Sequence, residues 1–195
     1  MCIEIPCYIN PKLLQFCNDI QTQVYLVEER KQIVDEALKD FAERRHTTSL
    51  AVALYFQLGL RVGELVVDHT KTDAGQRNVY LTGKAKKYLN MILDCNKENG
   101  YKDGDYLLSD ENGRIHELTI NSHIRRYCNL LGMPIKSSHE IRKTYISNLI
   151  DSGLNINKVR ALAGHESELT TYNSYCYSRL SDKQTEDLLE KTSCI

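Results

Sequence analysis

A chain of 195 residues, 42% of them hydrophobic, is long enough for one filled core with at most a small appendage. Its formal net charge of −1 argues against nucleic acid as a partner unless cations are gathered on one local face. No apolar run reaches the roughly 20 residues of a membrane span, and the opening MCIEIPCYINP lacks the basic and then apolar pattern of a signal peptide.

Seven scattered cysteines without a CxxC pair fit free thiols in a reducing compartment better than a disulfide framework or a zinc site. The expectation is therefore a cytoplasmic protein with no metal or other cofactor and no membrane contact. Helix-forming residues dominate and β-branched runs are short, which predicts a mostly helical domain.

In chain order, Asn10-Pro11 reads as a helix start. The stripe Ile33, Val34, Ala37, Leu38 and Phe41 predicts a helix over about 27–44. Thr47-Thr48-Ser49 caps a third, apolar helix through Ala53, Leu54 and Leu58. Gly59 ends or bends it, and Arg61 to Val66 forms a further helical turn. After a polar turn around Asp73-Ala74-Gly75, Asn78 to Leu81 reads as a short strand. Thr82 opens a helix with Leu89, Ile92 and Leu93 inward, stopped by Gly100. Tyr106 to Leu108 is a candidate strand and Asn112-Gly113 a turn. Leu118 to Leu131 is helical. Ser137-Ser138-His139-Glu140 fits a capping box, opening a helix that Gly153 closes. Asn155 caps the next helix, which ends at Gly164. Tyr172 to Tyr177 lies on a further helix or turn. Ser181 to Lys191 is amphipathic, with Leu188 and Leu189 as its apolar contacts.

Three blocks carry candidate chemistry. In SSHEIRKTY, His139 and Arg142 are three apart at a helix start, so imidazole, guanidinium and backbone N–H groups converge as a phosphate would require. In GLRVGEL, Arg61 stands near the end of an apolar helix with Glu64 placed to pair with it. In LAGHESELTTYNSYCY, His165 follows Gly164 at a helix end, and Tyr172, Tyr175 and Tyr177 come after. Each block alone has an ordinary reading: a solvated helix face, a structural ion pair, a packing stripe of tyrosines.

Taken together and in order, GLRVGEL, KTDAGQRNVYL, SSHEIRKTYISNLIDSG and LAGHESELTTYNSY resemble the catalytic domain of the tyrosine recombinases, the phage integrase family. The likeness covers about 25–177 and is nearest to integrases of prophages and conjugative transposons. It implies a mainly α domain with a small antiparallel β-sheet at one edge. It also implies catalytic roles for Arg61 and Arg142 as phosphate-gripping arginines, His139 as first residue of HxxR, and His165 in the position of the LGH histidine. Lys71 takes the lysine position in the turn before a strand. The family's tyrosine stands nine or ten residues after that histidine. Here those positions are Ser174 and Tyr175, so Tyr175 is the expected nucleophile, with Tyr177 the alternative.

The implied activity is site-specific cutting and rejoining of double-stranded DNA through a 3′-phosphotyrosine, by a homotetramer on two duplexes. Two other readings are a type IB topoisomerase-like enzyme and a degenerate, non-cleaving DNA-binding module. Compared with the family pattern, residues 1–24 form only a tail or linker remnant ahead of a catalytic domain at 25–195. A core-binding domain is expected to be absent, and the stretch from Leu65 to Lys71 is shortened.

Overall fold

The computed structural model describes residues 24–66, 79–100, 106–110, 113–165, 187, 189 and 190. Seven helices with both ends described and one hairpin are built from them: α1 (Val27–Arg44), α2 (Thr47–Leu58), α3 (Val62–Val66), α4 (Gly83–Glu98), β1 (Ser109–Asp110), β2 (Gly113–Arg114), α5 (Glu117–Leu130), α6 (Ser138–Asp151) and α7 (Ile156–Ala163).

The sequence TTSLAVALYFQL is apolar on every side, and a helix of that kind has to be surrounded. Accordingly, α2 lies at the centre, packed on α1, α4, α5 and α6, and every one of its residues except Gln57 is buried. Its Leu50, Leu54 and Phe56 meet Ile33 and Phe41 of α1, Ile92 of α4 and Ile120 and Ile124 of α5 in one core. Each fully buried side chain of this size contributes about 1.5–3 kcal/mol. A smaller apolar cluster of Ile146, Val159 and Ala163 joins α6 to α7.

Several helix ends form where local chemistry places them. Thr82 accepts the Ala85 N–H, Asn155 accepts the Asn157 N–H, and Ser137 and Glu140 complete the capping box of α6. At α2 the outcome differs. Its N-cap is His46, and no side chain caps it. Thr47 and Ser49 turn their hydroxyls instead to tertiary partners, the Ser109 carbonyl at 3.1 Å and Asp40 Oδ2 at 2.6 Å.

Strand pairing begins later than the sequence pattern suggests. Ser109 faces Arg114 and Asp110 faces Gly113 in an antiparallel pair, while the expected strand residue Leu108 is a buried core residue just before it. Residues 79–81 form no strand; Tyr80 is exposed, with the Lys158 ammonium 5.5 Å from its ring centre. On α4 the inward stripe is Ala85, Tyr88, Ile92 and Cys95. Leu93, one step round the helix from Ile92, is exposed, because successive helical residues point about 100° apart. Leu189 is helical but 62% exposed, so it is not the buried contact its amphipathic setting suggests. Asn10-Pro11, Lys71, Asn78, Tyr172, Tyr175, Tyr177 and Leu188 lie outside the described residues.

Candidate active site

The site is assembled where α2 ends. Gly59 takes φ +57°, a left-handed cap that closes the helix by donating its N–H to the Tyr55 carbonyl. The Tyr145 ring of α6 lies directly against it: a Cβ at this position would stand 2.0 Å from Tyr145 Cδ1. Conformation and space therefore both demand glycine. The turn aims the Gly59 carbonyl at α6, where it accepts a hydrogen bond from Arg142 Nη1 at 2.7 Å.

Arg142 is 2% exposed. Its Nη2 donates to the Ala163 carbonyl at 2.6 Å, at the end of α7, and lies 3.2 Å from His165 Nε2. A guanidinium only donates, so His165 accepts through Nε2 and carries its proton on Nδ1 in this arrangement. The carbonyl ends of α2 and α7 both bear partial negative charge, which suits the buried cation between them.

Arg61 reaches the same joint. Its backbone N–H donates to Glu64 Oε2 at 2.7 Å and its Nη1 to Glu64 Oε1 at 3.0 Å. Its Nη2 reaches the Gly164 carbonyl at 3.3 Å. Glu64 Oε2 also lies 3.9 Å from Arg142 Nη1, so one carboxylate, its side chain 10% exposed, sits between both guanidiniums. The Arg61 side chain is 49% exposed, leaving part of the cluster open to solvent.

His139 occupies the first turn of α6 at an exposed position, whereas Arg142 three residues later points inward. Partial burial, with the nearby charges of Lys143 and Arg142, holds the His139 pKa below the usual histidine value, against an opposing pull from Glu140. Such an imidazole is predominantly neutral at pH 7 and able to accept a proton.

Thus Arg61, Arg142 and His165 are drawn into one hydrogen-bonded cluster, with His139 on the rim of the helix that carries Arg142. The contributions of Gly59 and Tyr145 go beyond what the motifs indicate. The GLR glycine signals a helix end, but nothing local reveals that a ring 86 positions later presses on it. Among the described residues, no group of three His, Cys, Asp or Glu side chains is placed to hold a metal ion.

The profile of the phage integrase family matches residues 57–181, more than half of the chain and the stretch that carries this cluster. The chain belongs to the phage integrase family. A tyrosine recombinase of Pseudothermotoga lettingae is 30% identical over 172 residues, which are 80% of this chain and 57% of that protein. Among solved structures, XerA recombinase superposes with a TM-score of 0.68 at 24% identity, over 88% of this chain and 64% of that one. The Tn1549 transposon integrase, solved in complex with transposon right-end DNA, superposes with a TM-score of 0.66 at 15% identity, over 87% and 66%. This integrase-family chain therefore has the tyrosine recombinase catalytic-domain fold, helical with a two-stranded antiparallel sheet. It spans little more than half the length of the Pseudothermotoga relative. No helix among the described residues is long and apolar enough to cross a membrane.

Proposed function

We propose that residues 25–195 act as the catalytic domain of a site-specific recombinase of a mobile element, cutting and rejoining double-stranded DNA through a 3′-phosphotyrosine. The observation that carries this reading is the joining of Arg61, Arg142 and His165 through Glu64 and the carbonyl ends of two helices. Two guanidiniums with an imidazole beside them supply the donors that a phosphodiester needs as its charge grows in a pentavalent transition state.

In this scheme the scissile phosphate enters from the solvent side of Arg61. Tyr175 attacks the phosphorus, forming a bond from its phenolic oxygen and releasing the 5′ oxygen. A free tyrosine hydroxyl titrates near pH 10, so it needs help at neutral pH. Cations favour its phenolate, and His139, held neutral, takes the proton. Lys71 delivers a proton to the departing 5′ oxygen. His165 adds a donor to the phosphate, which requires it to release Arg142 or present Nδ1. Glu64 orients both arginines without reacting. The phosphotyrosine keeps the energy of the broken bond, so a 5′ hydroxyl of a second duplex can reverse the step without ATP. Such an exchange joins two duplexes, and a homotetramer in the cytoplasm is its working form.

The test is covalent trapping. A nicked attachment-site duplex releases its short 5′ fragment after cleavage and strands the protein on DNA. We expect a denaturation-resistant adduct mapping by peptide mass to Tyr175, absent in Tyr175→Phe while DNA binding is retained. An adduct on Tyr177 would move the nucleophile by two residues. Failure of any adduct to form with folded protein and its own site would replace the recombinase reading by a binding module.

A further inference from the structure

The N-terminal end of α2 opens onto a cleft of about 680 Å³, lined by Arg45, His46, Thr48, Asn99, Asp110 and His123 among others. That volume is typical of small-molecule sites. The strand-exchange scheme makes no use of it: the Arg61–Arg142–His165 cluster sits at the far end of the same 12-residue helix, about 18 Å away at 1.5 Å per residue.

The floor of the cleft is the first turn of α2. Such a turn leaves backbone N–H groups that an N-cap side chain ordinarily accepts. Here no side chain does so. The Ser49 N–H returns to the His46 carbonyl at 3.1 Å, but those of Thr47 and Thr48 meet no protein acceptor among the described residues. Neighbouring groups are engaged elsewhere. Thr47 Oγ1 holds the Ser109 carbonyl, and Ser49 Oγ holds Asp40, whose carboxylate also receives Tyr127 and Arg126.

Thr48 stands apart from them. It is 5% exposed and lines the cleft, yet its hydroxyl has no hydrogen-bond partner among the described residues. The hydroxyl is therefore open to whatever occupies the cleft. Two N–H groups, one hydroxyl and the positive end of a helix dipole all call for an acceptor, and a compact oxyanion provides one. Arg45 stands at the rim, paired in the open with Glu98; an exposed pair of this kind is weak enough to exchange partners. Asp110 on the wall disfavours a polyanion and suits a ligand with a donor beyond its single anionic end.

We propose that this cleft binds the phosphate group of a small molecule, its oxygens accepting from the Thr47 and Thr48 N–H groups and the Thr48 hydroxyl. Free phosphate and a nucleoside monophosphate share that chemistry. Inorganic phosphate is titrated into the ¹⁵N-labelled full chain at pH 7, with chloride balancing ionic strength. The Thr47 and Thr48 amide resonances should move downfield and saturate. Thr48→Val should weaken binding about ten-fold, the scale of one hydrogen bond to a charged acceptor, and Thr48→Ser should restore it. Arg45→Gln, at an exposed position, serves as a second variant and should weaken binding several-fold. A nucleoside monophosphate that binds ten-fold tighter than phosphate identifies the nucleotide as the source; equal affinity identifies the free ion. Shifts that chloride alone reproduces, or an affinity unchanged in both Thr48→Val and Arg45→Gln, would overturn the site.

Discussion

The two ends of α2 are flanked by the same backbone conformation and handle it in opposite ways. At the C-terminal end Gly59 has φ 57° and ψ 26°; just ahead of the N-terminal end Arg45 caps α1 with φ 58° and ψ 25°. A left-handed residue with a side chain costs about 1–2 kcal/mol, so conformation alone does not explain why one is glycine and the other arginine. The difference lies in the neighbours. Tyr145 fills the space a Cβ would take at Gly59, while the Arg45 side chain runs out over the Phe41 ring, 4.9 Å from its centre, to Glu98. The C-terminal end is also closed within the chain, since Arg142 and Arg61 hold the carbonyls around it. At the N-terminal end the amides of Thr47 and Thr48 face a cleft.

The largest break in this comparison comes from Gly59→Ala. The methyl group collides with Tyr145 and carries the left-handed penalty as well. We expect a loss of about 3 kcal/mol in stability, read by denaturant unfolding, with Arg142 displaced from the Gly59 carbonyl. A change below about 1 kcal/mol would mean that Tyr145 yields freely.

A second break uses acid, because the two groups with the largest acid-range shifts, His123 and Asp40, stand near the N-terminal end. Burial, reinforced by the charge of Arg126, pushes His123 down to about 4. Asp40 is held at about 2: burial alone would raise it, but hydrogen bonds from Ser49, Tyr127 and Arg126 overcome that. In both cases the unfolded chain binds the proton more readily, so stability falls as pH falls. The His123 contribution is lost between about pH 6.5 and 4, and the Asp40 contribution between about 4 and 2. His123→Gln should flatten the unfolding midpoint across the upper window and leave the lower one intact. A slope surviving between pH 6.5 and 4 would point to another group.

The smallest expected effect sharpens the comparison most. Arg45→Gly relieves the left-handed side chain and removes an exposed ion pair with Glu98 and the stacking over Phe41. Its stability should stay within about 1 kcal/mol of the starting chain, against the clear loss from Gly59→Ala. A loss at Arg45→Gly as large as that from Gly59→Ala would mean that the contacts of Arg45 with Phe41 and Glu98 outweigh the relief of its left-handed backbone.

Much of the helical frame was legible because its causes are local. The Ser137–Glu140 box, the Asn155 and Thr82 caps and the glycines at 59 and 164 act within a few residues of themselves, and the all-apolar α2 announces a surrounded helix. The errors share a cause too. Thr47 and Ser49 have hydroxyls suited to a cap but bond across the fold to Ser109 and Asp40. Leu93 is as apolar as Ile92 yet faces solvent, since only the neighbours of α4 decide which stripe is covered.

The same division runs through the site. Sequence by itself determined which side chains are candidates for chemistry, the order of Arg61, His139, Arg142 and His165 along the chain, and the family that order resembles. Tertiary structure alone decided what they touch. Arg142 meets carbonyls 83 and 21 positions away, Glu64 sits between both arginines, and Thr48 is buried without a partner beside a cleft. A hydrogen bond between groups so far apart leaves no mark in the local pattern, because its geometry exists only after the helices have packed.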